Sequence, residues 1–180
     1  MKQHAITARF LNENPDMTLQ TIEGDSTFVK ELLTDGKCDI AFLRSESSSV
    51  KEFNSIPYMI DYLTAVLPAT HPLAKADNLP FEQLRGETFL LFPEHSFIND
   101  LCIRECRNAG FEPHIAYTGN RGATLIDLVR NGAGITLMMH HSARQENDSS
   151  LAFIPVTPGI YSYISLNYAK EKPLSPQAEI

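Results

Sequence analysis

The feature that most constrains this chain is alternation. Short apolar runs take turns with segments whose apolar residues fall three and four apart, and glycine or proline stands at most of the joins. Strands alternating with helices bury their faces as an α/β fold with mainly parallel sheets. Ile6, Phe10 and Leu11 share one helix face, and Asn14-Pro15 ends that helix because proline disfavours helical backbone in the residue ahead of it. Residues 17–22 predict a short strand stopped by Gly24. Phe28, Val29, Leu32 and Leu33 form the stripe of a second helix, with Asp25, Ser26 or Thr27 as its cap and Gly36 at its end. Residues 38–43 predict a largely apolar strand, as expected for a parallel strand covered on both faces. The polar residues 44–49 read as a loop.

The pattern then continues. Residues 62–67 predict a strand ended by Pro68, residues 79–84 a short helix, and residues 88–92 a strand running into Pro93. Ile98, Leu101, Cys102, Cys106 and Ala109 make a helical stripe closed by Gly110. A strand over 114–118 is followed by a helix carrying Leu125, Leu128 and Val129, which Gly132 ends. Strands follow at 135–139, 151–156 and 162–168, with a polar break at Asn147, Asp148, Ser149 and Ser150. Ser175-Pro176 reads as the cap and first residue of a further helix. Strand-and-helix stretches lie on both sides of residue 67, which points to two lobes meeting at a cleft. In open α/β sheets, ligands bind outside the carboxyl ends of strands, near helix N-termini.

Charge narrows the function. The 180 residues carry 22 acidic and 15 basic side chains, a net charge of -7. Neutralising phosphates needs a basic face, so the composition argues against nucleic-acid binding by this chain. No run approaches the roughly 20 apolar residues that span a bilayer, so no membrane partner is expected. The first seven residues lack an apolar core, so no secretory leader is expected. Three cysteines, Cys38, Cys102 and Cys106, form no dense framework and suggest reduced thiols in a cytoplasmic setting.

Few motifs carry chemistry. Cys102 and Cys106 lie on one helix face and His140 adjoins His141, but neither Cys-x-x-Cys nor His-Glu-x-x-His occurs. Buried core packing is the simpler role for the cysteine pair, and no metal or cofactor is expected. No Gly-x-Ser-x-Gly elbow occurs, so an enzyme is not expected. Thr118, Gly119 and Asn120 precede a helix in a Gly-x-x-Gly turn, which either presents N–H groups to an anion or is a plain strand-to-helix turn. Arg44 follows an apolar strand, where a guanidinium either holds a carboxylate bidentately or is solvated in a loop. Ser26 and Thr27 either cap their helix or bind a ligand at its start.

The order of features resembles the effector-binding domain of LysR-type transcriptional regulators. The residues that carry the resemblance are Phe10 and Pro15-Asp16, the stretch 32–36, then Cys38-Asp39-Ile40-Ala41. His71-Pro72-Leu73-Ala74, Ala109-Gly110-Phe111-Glu112-Pro113, and the stretch 128–135 follow in the same order. Each motif is short; their order over nearly the whole chain is what makes the combination specific. The resemblance implies an α/β, two-lobed type 2 periplasmic-binding-protein-like fold with two crossover strands, near residues 63–67 and 151–156. It implies lobe I over 1–66 and 151–180, and lobe II over 67–150. By motif position it places effector contacts on Ser26, Thr27 and Arg44 of the first lobe, and on Pro93, Ser96, Phe97, Thr118, Gly119 and Asn120 of the second.

Compared with the family pattern, the first strand of lobe I and the winged helix-turn-helix DNA-binding domain are expected to be absent from this chain. Met138-Met139-His140-His141 stands where the family often has proline. The expected function is sensing of a small anionic effector, such as a carboxylate, in the interlobe cleft. DNA is then reached only through the absent domain, and homo-oligomers, dimers or tetramers, are expected by resemblance. A transporter's solute-binding protein or an enzyme would use the same bilobal fold. The first would need export, and the second would need acid, base or nucleophile groups converging in the cleft.

Overall fold

The computed structural model describes residues 3–143 and 148–171. Helix α1 spans Gln3–Glu13, and Asn14 closes it by donating both its backbone N–H and its side-chain amide to the Phe10 carbonyl. Helix α2 spans Ser26–Thr34 with Asp25 as N-cap. Its end is set by Gly36, whose φ of 68° lies in the left-handed region, while the Lys37 N–H donates to the Leu32 carbonyl.

Two long strands organise the rest. Strand β1 spans Ile40–Ser45 and β2 spans Phe53–Pro68. Strand β3 is the two-residue Leu79–Pro80, followed by a 3-10 turn over Phe81–Leu84. Strand β4 (Thr88–Leu91), α3 (Phe97–Asn108), β5 (His114–Thr118) and α4 (Gly122–Arg130) follow. The chain continues through β6 (Thr136–Met139), a short α5 (His140–Ala143), β7 (Leu151–Thr157) and β8 (Tyr161–Ala169).

Strand β2 is shared. Its first part, from Phe53 to Tyr62, pairs antiparallel with β8, which on its other side pairs antiparallel with β1. From Leu63 onward β2 changes partners and pairs with β6 and β7. Strand β3 joins β7 in parallel. Strands β4 and β5 are parallel, and a parallel bridge between Phe89 and Ile135 ties β4 to the residue ahead of β6.

Burial follows the same division. Leu33, Ala41, Leu43 and Phe53 form a small core between α2 and the β1-β8-β2 sheet. A larger core gathers Leu63, Leu67, Leu79, Phe89, Leu101 and Leu137 with their neighbours. A third cluster places Val66, Leu90, Leu125, Val129 and Met138 under α4. Each such large apolar side chain, fully buried, contributes about 1.5–3 kcal/mol of transfer free energy, so the larger body carries most of the stability.

Several sequence expectations are corrected. Residues 17–22 form no strand, and Met17, Leu19 and Ile22 are exposed. A strand needs a neighbour for its N–H and C=O groups, and none of the described residues pairs with this segment. Sheets expected to be mainly parallel are mixed, and the apolar run ending in β1 pairs antiparallel. Strand β2 begins at Phe53 rather than near 62; Pro57, which lacks the N–H a ladder uses, sits at a register shift. The helix expected over 79–84 is a strand residue pair followed by the 3-10 turn. Asn147 and Ser175-Pro176 lie outside the described residues.

Candidate functional site

The candidate site lies where α2 and β1 face α3 and the ends of β4 and β5. Asp25 is its centre. Its Oδ1 accepts the Thr27 N–H at 2.8 Å, capping α2. Its Oδ2 accepts the Phe97 N–H at 3.2 Å, so the same carboxylate also holds the start of α3. Each helix N-terminus carries unsatisfied N–H groups and a partial positive charge, which a carboxylate offsets. Sequence reading had named Asp25 only as a cap candidate; its reach of 72 residues to Phe97 has no local signal.

Ser26 and Arg44 stand together. The Ser26 hydroxyl accepts the Arg44 backbone N–H at 3.0 Å, joining the start of α2 to the end of β1. The Arg44 guanidinium donates Nη1 to the Ser162 hydroxyl at 2.6 Å and Nη2 to Asp61 Oδ2 at 3.2 Å. Two of its five N–H donors are thus engaged. Burial pulls the guanidinium below its ordinary pKa, and the Asp61 charge pushes it back up.

Asp61 is the residue sequence reasoning missed. Its side chain is fully buried, and its other oxygen accepts N–H groups of Tyr62 at 3.0 Å and His141 at 3.2 Å. The His141 Nδ1 lies 3.2 Å from the same oxygen. One signal was available: Asp61 interrupts the run Tyr58-Met59-Ile60-Asp61-Tyr62-Leu63, and a buried charge requires a partner. Beside it the His140 ring stacks on Tyr62 with centroids 4.4 Å apart.

The remaining expected residues form a second group. Ser96 is the N-cap of α3, accepting the Asn99 N–H at 3.3 Å and donating its hydroxyl to the Pro93 carbonyl at 2.7 Å. Asn99 in turn donates to the Phe92 carbonyl at 2.9 Å, fixing the loop that holds Pro93. Thr118 pairs in register with Leu91, and the Gly119 N–H donates to the Leu91 carbonyl at 3.0 Å. Pro93, Ser96, Phe97, Thr118 and Gly119 therefore collect at the carboxyl ends of the parallel pair β4-β5, with Asn120 exposed just beyond. Thr27 is exposed at the start of α2. The structure brings the two groups together through the Asp25 to Phe97 bond.

Among the described residues, no group of three or more His, Cys, Asp or Glu side chains is gathered as a metal site. All three cysteines are free thiols, and Cys102 and Cys106 are core side chains. Burial raises both thiols, Cys106 to about 12. No described helix is long and apolar enough to cross a membrane.

Comparison with known proteins gives a consistent result. Residues 4–179 match the model of the LysR substrate binding domain. The chain is 25% identical over 174 residues to the transcriptional dual regulator GltC of Bacillus subtilis strain 168, covering 96% of this chain and 58% of that regulator. It thus spans little more than half of that relative's length. The C-terminal domain of a probable LysR family transcriptional regulator from Rhodococcus sp. RHA1 superposes with a TM-score of 0.82 at 22% identity, covering 97% of this chain and 87% of that one. The Synechocystis PCC6803 CcmR regulatory domain in complex with 2-PG superposes with a TM-score of 0.84 at 15% identity, covering 96% of this chain and 84% of that one. These likenesses identify the fold as that of LysR regulatory domains, two α/β lobes of the type 2 periplasmic-binding-protein kind.

Proposed function

The chain belongs to the LysR substrate binding domain family, and on that premise we propose that it senses a small anionic effector in the cleft between its lobes. The observation that carries the reading is that the starts of α2 and α3 meet across the cleft, held together by Asp25, with Arg44 beside Ser26 at the end of β1. Asp25 already offsets part of the charge of both helix starts, so Arg44 is the charge partner for an anion. The residues expected to contact the effector carry donors: the hydroxyls of Ser26, Thr27 and Thr118, the side-chain amide of Asn120, and the three N–H groups of Arg44 not engaged by Asp61 and Ser162. Such donors suit a carboxylate or a similar anion. Pro93, Ser96, Phe97 and Gly119 shape the wall on the other lobe. The complex of CcmR with 2-PG supports a small-molecule ligand for this fold.

The lobe division belongs to the same proposal. The change of β2 partners at Tyr62 and Leu63 supports a first crossing slightly ahead of the expected end at 66. The pairing of β7 with the later part of β2 supports a return in the turn from β7 to β8, after the expected start at 151. In the whole regulator, effector binding shifts the lobe or subunit arrangement and so the placement of a DNA-binding winged helix-turn-helix domain. Pairing of two copies fits the exposure of every residue of β5, including Ile115 and Tyr117, at a sheet edge. Three free thiols fit a cytoplasmic setting.

Titration calorimetry with a panel of small carboxylates tests the reading. At least one should bind, and Asn120→Ala and Thr27→Val should each weaken it about ten-fold, the worth of one hydrogen bond to a charged group. No binder in the panel, or equal affinity in both variants and the parent, would refute it.

A further inference from the structure

Three contacts between the lobes place a carboxylate on the first lobe, while the Ser162 hydroxyl donates the other way to the Met139 sulfur. On the first lobe Asp25, Glu46 and Asp61 accept; on the second, the Phe97 N–H, the Arg104 guanidinium and the His141 N–H donate. Asp61 sits where β2 passes from one body to the other, so its contact belongs to the hinge. Asp25 and Glu46 sit away from it. Glu46 follows β1, and both of its oxygens meet Arg104 of α3, at 2.6 and 3.2 Å. This bidentate geometry fixes direction as well as charge. Arg104 lies seven residues into α3 from Phe97, two turns along the same helix. One helix of the second lobe is therefore held to the first lobe at its start and again near its middle.

We propose that Asp25 and the Glu46–Arg104 pair act together as a clasp that holds the cleft closed. An effector must then open the clasp to enter. This consequence rests on the effector-sensing reading; the clasp itself does not. Glu46 and Arg104 are both about half exposed, so the pair is weak alone and screened by salt. It closes the cleft because it acts on the same rigid helix as the Asp25 bond.

The test is water-exchange NMR on the Phe97 amide, in the full chain without any ligand. That N–H is protected only when Asp25 reaches it across the cleft. Glu46→Gln touches neither Asp25 nor Phe97, yet should raise Phe97 exchange about two- to five-fold, the worth of an exposed ion pair. Arg104→Gln should do the same. The double variant should match either single one, because the two residues form one contact. The Gly110 amide, bonded to the Arg107 carbonyl beyond the far end of α3, should not change and reports that the helix stays folded. Unchanged Phe97 exchange in both single variants, or additive effects in the double, would overturn the clasp. Because no effector is present, this result and the calorimetric one fail independently.

Discussion

Replacing Asp61 by alanine should be among the most damaging single changes available in this protein. The carboxylate is fully buried and meets Arg44 at 3.2 Å, in a pair whose arginine side chain is only 15% exposed. It also accepts the N–H groups of Tyr62 and His141. Asp61→Ala leaves a buried guanidinium without its counter-charge and two amides without an acceptor. Removing one partner of a buried ion pair costs about 3–5 kcal/mol. A domain holds about 5–15 kcal/mol in total, so a large share of the stability goes. At about 2–4 °C per kcal/mol for this chain length, the melting temperature should fall by roughly 6–20 °C.

Urea unfolding with linear extrapolation measures the loss, and an unchanged slope would place it in the folded state. The paired replacement Arg44→Met with Asp61→Leu removes both charges while filling the space. It should return to within about 1–2 kcal/mol of the parent, since an apolar pair often replaces an ion pair at little cost. A single-variant loss below about 1 kcal/mol, or a double variant no better than the single, would refute the reasoning. The first would mean the pair is well hydrated, the second that the contact is irreplaceable in shape.

Other perturbations are simpler. Gly134→Ala would set a Cβ 2.4 Å from the Thr88 carbonyl oxygen, so it should cost about 1–3 kcal/mol by overpacking, read as a lower urea midpoint. Ser96→Ala removes the α3 cap and should cost about 1 kcal/mol on the same measurement. Asp148 is held at about 2, first by hydrogen bonds from Ser150 and then by Arg130. Its value is depressed on folding, so its contribution is present above about pH 4, the unfolded range, and is lost as pH falls through about 2; Asp148→Asn should flatten that part of the acid limb. Folded protein titrated with a thiol reagent at neutral pH should show Cys102 and Cys106 unreactive, because burial raises both thiols. Modification of either before unfolding would contradict their core placement.

Most helices and the strands β4, β5 and β6 were legible because their signals are local. Gly36, Gly110 and Gly132 each adopt the positive φ that ends a helix where the sequence places one, and β5 occupies residues 114–118 as its apolar run predicts. What was not legible depends on partners far along the chain. Residues 17–22 have the composition of a strand but no neighbour to pair with. The first half of β2 is broken by Asn54, Ser55 and Pro57, and becomes a strand because β8 lies beside it. Arg44 was legible only as a guanidinium at a strand end, either holding a carboxylate or solvated, and its engagement by Asp61 and Ser162 joins residues 17 and 118 apart. The clustering of Pro93, Ser96, Phe97 and Thr118 follows from β4 and β5 being parallel, which their flanking turns announce. Asp25 was legible as a cap, while its bond to Phe97 was not.

The sheet order β1-β8-β2 also bears on how the chain assembles during synthesis. Strand β8 lies between β1 and β2, and Ile40 pairs with Tyr168. The body built on Leu63, Leu137 and Ile154 uses one nearly continuous stretch of chain and can form as soon as β7 leaves the ribosome. The α2 and β1 segment, made earlier, has no completed sheet to join until β8 emerges. This order predicts that later-made residues complete their core before the α2 and β1 segment does. Translation that stops before β8 would leave β1 without its sheet partner and the apolar residues of that small core uncovered.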